Sequence, residues 1–233
     1  MVQKRRLLDS SGMEEMLRIL RTQAEFAGIE VVTYCFLENH FHILALVDGR
    51  EEVVEAIDDA ELVRRFSALY GNLRSPSLGV DAVALQKALE ENGEEAAALR
   101  TQMKARMGDA AVFMKEFKTR FTKWYNEHYH TVGTFWAERY RSVEVEEGSD
   151  AAKAMAAYID LNGVKAGGAD EPVSYRFCGY AEVCRRKDRA WSRYRLLWKG
   201  APAEEAEWCW TRYRAILKAK WRSYGYDKSA QCT

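Results

Sequence analysis

Residues 33–47, TYCFLENHFHILALV, contain two apolar runs separated by the polar pair Glu38 and Asn39. The runs, read as IEVVTYCFL and HFHILALV, are rich in β-branched and aromatic residues, which favour strands. A short polar turn between two such runs is typical of a β-hairpin. Two histidines, His40 and His42, flank Phe41 where the second run begins. The stretch therefore predicts a hairpin that presents two imidazoles at the start of its second strand.

Side chains two residues apart on a strand project from the same face, so His40 and His42 lie side by side. That spacing suits two ligands of one metal ion. A divalent cation needs further ligands, however, and two histidines alone do not supply them. The spacing by itself leaves a metal site and a structural role both open.

A second His-x-His pair, His128 and His130, occurs in NEHYHTVG. Together with His40 and His42 it would allow a four-histidine zinc site. The second pair lies at the end of a predicted helix, where residues two apart need not face the same way. It is therefore the weaker candidate for further ligands.

Residues 151–162, AAKAMAAYIDLN, form a better candidate partner for the first pair because their alanine and methionine content favours a helix. Met155, Tyr158, Ile159 and Asn162 fall on one face of that helix, and Tyr158 lies one turn from Asn162. A phenol and an amide stacked on an otherwise apolar face are unusual for a core, which opens a catalytic or metal-binding role for these two residues. The alternative is a buried tyrosine bonded to a backbone acceptor, with Asn162 capping the helix end.

Helical periodicity covers much of the remaining chain. It predicts helices over residues 11–27, 51–71 and 81–128, the last interrupted at NGE and at Gly108, with Ser10 or Ser11 capping the first. Ser149 or Asp150 is expected to cap the helix of Tyr158. Residues 139–147, RYRSVEVEE, alternate and predict a third strand.

The last part of the chain is basic and aromatic although the whole chain has no net charge. Residues 185–228 hold 13 Lys and Arg against 5 Asp and Glu, a balance of +8, interleaved with nine Trp and Tyr residues. One interpretation is a pair of amphipathic helices with aromatic inner and basic outer faces. The other is a surface that holds a nucleic-acid backbone and stacks bases.

The five cysteines are scattered and form no Cys-x-x-Cys pair, which argues against a zinc ribbon and favours a reducing compartment. The first residues, MVQKRRLLDSSG, do not have the apolar core of a signal peptide, and no run reaches membrane-spanning length. These features predict a cytoplasmic protein with no membrane partner.

Four motifs in order resemble one family: YCFLENHFHILALV, GTFWAERYRSVEVEE, YIDLNGVKAG and SYRFCGY. They are similar to the motifs of the single-tyrosine HUH transposases, and most closely to the REP-associated tyrosine transposases. The usual forms in that branch run close to YCLMPNHFHLLL, RFKSVLVE, YIELNPVRAG and YRWSSY. The resemblance covers about residues 29–183 apart from a helical insertion.

The resemblance implies an α+β protein with a ferredoxin-like, mainly antiparallel sheet and an enzyme that nicks and joins single-stranded or hairpin-bearing DNA. It implies that His40, His42 and Asn162 bind a divalent metal, Mg²⁺ or Mn²⁺, and that Tyr158 forms a 5′-phosphotyrosine link. Phenols titrate only near pH ~10, so such a tyrosine needs an ion that stabilises charge on the phosphate. A homodimer is compatible with this assignment.

In domain terms, the resemblance implies a catalytic domain over residues 1–183, with a helical insertion at about 72–118, and a basic aromatic tail over 184–233. Family members normally begin with a YHVxxR strand, which this sequence does not show before its first helix, so the sheet is expected to lack its first strand. A start placed too far downstream, a degenerate copy and another segment that fills the gap are the three explanations left open. Gly163 replaces a usual proline and is expected to loosen the chain after Asn162.

Two other functions remain open at this point. A domesticated or truncated relative would bind DNA hairpins without cleaving them, which the missing strand favours. An unrelated metal-binding or RNA-binding module with an RRM-like sheet is the third candidate, although the strands lack the aromatic signature with which RNA recognition motifs stack bases.

Overall fold

The computed structural model describes residues 8–47, 49–55, 57–186 and 190–225. The fold is α+β, mostly helical, with one small antiparallel sheet. The helices and strands in chain order are α1 (Ser10–Ala27), β1 (Glu30–Phe36), β2 (Phe41–Leu46), α2 (Arg50–Glu55), α3 (Asp59–Tyr70), α4 (Ala82–Glu91), α5 (Glu94–Lys104), α6 (Ala110–Tyr129), α7 (Asp150–Asp160), α8 (Asn162–Lys165), α9 (Gly179–Arg185) and α10 (Ala206–Ser223). Short 3₁₀ helices lie at Pro172–Ser174, Ala190–Leu197 and Ala203–Glu205.

The predicted β-hairpin is confirmed, because β1 and β2 pair side by side. The backbone N–H of Leu37 closes the turn by donating to the carbonyl of His40 over 2.8 Å. From Val32 to Phe36 β1 is buried, whereas β2 is half-buried along its whole length. β1 also bonds to the segment before α9, where the Phe36 N–H donates to Phe177 over 3.0 Å.

The prediction of a third strand over residues 139–147 is wrong. These residues adopt no regular secondary structure. A strand is stable only when its backbone groups find a partner, and the two-stranded sheet of the described residues does not extend to this segment. Val143 is 77% exposed, and only Val145 packs in part against the core. Alternation of residue types without a pairing partner did not produce a strand.

Two compact units make up the chain, and the first is called the site unit here. It takes in Met1–Glu14, Val31–Leu46 and Arg141–Thr233, of which the residues given above are described. Its core forms around the small side chains of α7, such as Ala156 and Ala157, which allow neighbours to approach closely. Ser149 caps α7, as predicted, because its hydroxyl accepts from the Ala152 N–H over 3.1 Å.

The basic aromatic tail belongs to the core of the site unit. Tyr194 and Tyr213 are fully buried beside α7, and four tryptophans pack partly against the same cluster: Trp191, Trp198, Trp210 and Trp221. The aromatic faces of the tail therefore turn inward, as the amphipathic interpretation predicted. The predicted domain boundary after residue 183 falls inside α9, so it does not separate a tail from the rest of this unit.

The second unit, called the helical unit here, comprises Glu15–Glu30 and Val47–Tyr140. The long predicted helix over 81–128 is divided as expected into α4, α5 and α6, with turns at Asn92 and Gly108 in the left-handed region. Asp58, Asp81 and Asp109 cap α3, α4 and α6. Because α6 runs on to Tyr129, the predicted end of the insertion at 118 lies inside this helix.

One cap differs from the sequence prediction. Helix α1 begins at Ser10, but it is Asp9, rather than Ser10 or Ser11, whose carboxylate accepts from the Gly12 N–H over 2.8 Å. Aspartate is as good an N-cap as serine, and Asp9 is the cap because it occupies the position just before the first turn of the helix.

Two further expectations concern compartment. Within the described part of the chain, no helix combines the length and the apolar character needed to cross a membrane. Cys35, Cys178, Cys184 and Cys209 are free thiols. Cys35 and Cys178 lie opposite each other on an isolated antiparallel bridge and remain unbonded.

Candidate functional site

The two histidines of the hairpin lie next to each other. His40 is the last residue before β2 and His42 is the second residue of that strand. Their ring centroids are 5.2 Å apart and the rings are nearly perpendicular, at 89°. The predicted juxtaposition of two imidazoles is therefore present.

The two imidazoles have different surroundings. Nδ1 of His40 lies 2.6 Å from the side-chain oxygen of Asn39, and an amide oxygen can only accept in such a contact. Burial, and then the neighbouring charge of His40, lower the pKa of His42 below its ordinary value. A neutral imidazole is the form that binds a metal, so the lowered pKa of His42 favours that role at neutral pH.

Helix α7 brings Tyr158 to the same place. The ring of Tyr158 lies 5.7 Å from that of His42, at an interplanar angle of 80°. Tyr158 is 37% exposed, unlike the buried alanines on the opposite side of its helix. A hydroxyl on such a residue can reach a substrate from solvent. The predicted nucleophile and the histidine pair, more than a hundred residues apart in sequence, thus meet in one site.

Asn162 lies directly below Tyr158, at the start of α8, and is 6% exposed. Its side-chain nitrogen donates to the backbone carbonyl of Tyr158 over 3.1 Å. This contact is to the α7 backbone rather than to either histidine, so it matches the capping role that the sequence left open. Because the nitrogen is committed to the backbone, Oδ1 is the atom through which Asn162 would bind a cation.

The donor set fits a divalent ion in its chemistry. It offers two imidazole nitrogens and one amide oxygen, a mixture that suits a transition metal such as Mn²⁺ and leaves coordination positions for phosphate oxygens. Throughout the described ranges, no cluster of three or more His, Cys, Asp or Glu side chains is arranged as a metal site. The four-histidine zinc site is therefore not found among these residues.

The second histidine pair has other contacts. The ring of His128 stacks on Trp124, with centroids 4.7 Å apart and an interplanar angle of 15°. His130 is the C-terminal cap of α6 in the left-handed conformation, with φ of 53°. Both residues belong to the helical unit, whereas His40 and His42 belong to the site unit.

Lys165, which the sequence reasoning overlooked, lies against the candidate nucleophile. Its ammonium nitrogen is 4.3 Å from the ring centroid of Tyr158 and 4.1 Å from that of Tyr224. The spacing from Tyr158 is seven residues, two helical turns, which was a usable signal. The ammonium adds a positive charge to the surroundings of Tyr158.

Asp160, also overlooked, holds the far side of α7 in place. This fully buried carboxyl accepts hydrogen bonds from Thr33 (2.5 Å), Tyr194 (3.0 Å) and Tyr213. Burial raises its pKa, although these hydrogen bonds work in the opposite direction. Asp160 lies two residues from Tyr158 on α7, so fixing Asp160 inward turns the Tyr158 side chain towards the opposite side of the helix. A charged residue within an alanine-rich helix was the sequence signal.

Gly163 does not loosen the chain as expected. A Cβ at this position would lie 2.3 Å from the ring of Tyr175, and one at Gly168 would lie 2.5 Å from the same ring. The hydroxyl of Tyr175 donates to the carbonyl of Phe36 over 2.7 Å, which ties the ring to the end of β1. Gly163 therefore provides room for a packed aromatic ring just after Asn162.

Comparisons of the chain with protein-family models, with curated proteins and with solved structures gave no match.

Proposed function

We propose that this protein is a metal-dependent, HUH-type strand transferase that acts on single-stranded, hairpin-bearing DNA. The observation that carries the proposal is the position of Tyr158 on α7, 5.7 Å from His42, with Asn162 bonded to the Tyr158 carbonyl from the start of α8. A solvent-accessible phenol beside two adjacent imidazoles is an unusual combination for a core and an expected one for phosphoryl transfer. The order of four motifs along the chain supports the same assignment.

The reaction is a transesterification. The Tyr158 oxygen attacks the phosphorus, the bond from phosphorus to the 3′ oxygen breaks, and the phenolic proton is replaced by the phosphotyrosine bond while the leaving oxygen takes up a proton. The 5′-phosphotyrosine keeps the energy of the broken diester, so a 3′ hydroxyl can later reverse the step without a nucleotide cofactor. A bound Mg²⁺ or Mn²⁺ would supply Lewis-acid stabilisation of the phosphate charge.

The chain's own groups have separate roles in this proposal. His40, His42 and Asn162 hold the ion. Lys165, with its ammonium 4.3 Å from the Tyr158 ring, places positive charge where an anionic phosphate would approach the phenol. Asp160 positions α7 without contacting substrate.

The proposal includes a fold and a cellular location. The hairpin and α7 represent part of a ferredoxin-like sheet with its packed helix, and the free, closely spaced thiols of Cys35 and Cys178 support a cytoplasmic, reducing location. A homodimer remains compatible with this site.

A second candidate function is binding of DNA hairpins without cleavage. The observation that favours it is the two-stranded sheet of the described residues, which is smaller than a complete ferredoxin-like sheet. The side chains of β2 are half-buried along the whole strand, as expected where a sheet has fewer strands packed around it.

The decisive experiment is formation of a covalent adduct in Mn²⁺ with a pool of single strands that carry a hairpin and a 3′ label. Wild-type protein is expected to remain attached to the labelled DNA in denaturing electrophoresis. Tyr158→Phe is expected to show no attached label, although it should still bind the DNA under native conditions. Tyr125→Phe, a change of another half-buried tyrosine in α6, serves as the matched control and is expected to form the adduct.

Two outcomes would count against the proposal. An adduct of equal yield in Tyr158→Phe would remove Tyr158 as the nucleophile. Hairpin binding by the wild-type protein with no adduct at any Mn²⁺ concentration would favour the non-catalytic candidate.

A further inference from the structure

A cleft in the site unit lies along one face of α10. Its volume is about 360 Å³, within the usual range for small-ligand sites. The lining comes from α10, from Tyr180 of α9 and from the 3₁₀ turn at Pro172–Ser174. Arg214, Lys218 and Trp221 follow one another at spacings of four and three residues, so they form a single row along this face.

The charged side chains of the cleft suit a phosphate that is linked to a flat group with polar edges, such as a nucleotide base. Arg214 and Lys218 are both exposed. Burial raises the pKa of Tyr180 to about 12, and the positive charge of Arg214 acts in the opposite direction. One carboxylate, Glu171, also lines the cleft, which makes it a poor site for a free phosphate but offers an acceptor for an amino group.

The aromatic groups of the cleft provide flat surfaces. Tyr180 and Trp221 are half-buried, and both line the cleft. The buried indole nitrogen of Trp221 has no hydrogen-bond partner in the described part of the chain. Cations next to aromatic faces are the combination with which proteins hold single-stranded nucleic acid, because phosphates bind the cations and bases stack on the rings.

The row on α10 leads to the candidate nucleophile. Three residues after Trp221, Tyr224 contacts the ammonium of Lys165, which in turn contacts Tyr158. From Arg214 to Tyr224 the helix rises about 15 Å, the length of roughly four stacked nucleotides. A strand bound along this face would therefore reach the site unit's tyrosine without leaving a basic, aromatic surface.

We propose that this cleft binds the single strand next to the scissile phosphate, with backbone phosphates on Arg214 and Lys218 and a base against Tyr180 and Trp221. The identity of the occupant rests on the proposed function. Glu171 accepts a hydrogen bond from an exocyclic amino group, so a base that carries one is preferred over thymine.

Equilibrium binding of a fluorescent single-stranded oligonucleotide tests the cleft without requiring catalysis. The double variant Arg214→Gln, Lys218→Gln is expected to bind about tenfold more weakly near 0.1 M salt and to lower the slope of log K against log salt concentration by about 1.4. The control double variant Arg212→Gln, Lys87→Gln loses the same charge outside the cleft and is expected to bind like wild type. Equal losses in both double variants would overturn the proposal.

Photocrosslinking supplies a second measurement on unmodified protein. An oligonucleotide that carries 5-iodocytosine, which has the exocyclic amino group that suits Glu171, is expected to crosslink to the peptide of Trp221 or of Tyr180. Crosslinks confined to α6 would refute the cleft and place the strand elsewhere.

The two proposals fail in different ways. If the cleft variant loses binding and wild-type protein forms no Tyr158 adduct, the strand-transfer proposal is refuted and the cleft proposal is supported. If wild-type protein forms the Tyr158 adduct and the cleft variant binds DNA as wild type does, the strand-transfer proposal is supported and the cleft proposal is refuted.

Discussion

At the residue scale, Asp160 is the group whose environment departs furthest from that of an ordinary carboxyl. Its oxygens accept from Thr33, Tyr194 and Tyr213 in a fully buried position, and burial raises its pKa. A carboxyl whose pKa is raised in the folded state contributes stability below the pKa of the unfolded chain, near ~3.9. That contribution is lost as the pH rises through the folded pKa.

Replacement of Asp160 by Asn tests this sign. Asparagine presents one acceptor and one donor group, as a protonated carboxyl does. We expect Asp160→Asn to match wild type most closely near pH ~4 and to gain stability relative to wild type as the pH rises towards 8, since the variant has no carboxyl to ionise. Urea denaturation at several pH values measures the difference. A difference that runs the other way with pH would mean that the buried carboxyl is ionised in the folded protein.

Gly163→Ala is the second prediction at this scale. The new Cβ would lie 2.3 Å from the ring of Tyr175, which is held by its hydrogen bond to Phe36. We expect a loss of about 1–3 kcal/mol in the free energy of unfolding, the usual cost of overpacking. Gly93→Ala, where nothing lies within 4 Å of the added Cβ and φ is negative, is the control. Equal losses in the two variants would show that the Tyr175 contact is not the cause.

At the element scale, the helical unit contains a half-buried ion pair between α6 and the turn that precedes it. Glu116 accepts from Nε of Arg106 over 2.6 Å and from Gln23 over 2.8 Å, while the guanidinium carbon of Arg106 lies 4.5 Å from the ring centroid of Phe26. Burial alone would raise the pKa of Glu116, but the hydrogen bonds and charge of Arg106 outweigh it and hold the pKa below its ordinary value. The stability from this pair is present above pH ~4.3 and is lost as the pH falls.

We expect Glu116→Gln to destabilise the protein by about 3 kcal/mol at pH 7, because it leaves the Arg106 charge without its partner. Glu127→Gln on the same helix is the control. Glu127 is 67% exposed and its nitrogen partner on Lys123 lies 3.9 Å away, so the change should cost less than about 0.5 kcal/mol. Chemical denaturation at pH 7 measures both. A cost of Glu116→Gln as small as that of Glu127→Gln would contradict the role of the pair.

The elements that the sequence predicted well are those whose stability is local. The hairpin over β1 and β2 followed from its strand formers and polar turn, and α7 followed from its alanines and its Ser149 cap. The strand expected over 139–147 failed because strand formation depends on a partner elsewhere in the chain, which alternation cannot reveal. Asp160 and Lys165 were overlooked for the same reason, since their roles depend on contacts with residues distant in sequence.

At the scale of the whole molecule, the four histidines are divided between the two units. His40 and His42 form a perpendicular pair in the site unit, while His128 and His130 stack on Trp124 and cap α6 in the helical unit. The basic balance of residues 185–228 falls in the site unit as well, although the whole chain is neutral. The groups proposed to bind metal and DNA are thus concentrated in one unit.

Metal binding to the native state should therefore stabilise the protein through the first pair alone. An ion present at about 100 times its dissociation constant stabilises the folded state by about 2.7 kcal/mol. We expect Mn²⁺ to raise the Tm of wild-type protein and of the His128→Ala, His130→Ala double variant, because the proposed ligands His40, His42 and Asn162 remain. The His40→Ala, His42→Ala double variant should show no increase. Differential scanning calorimetry with and without EDTA measures all three proteins, and an increase that disappears only in the His128, His130 variant would assign the metal to the second pair.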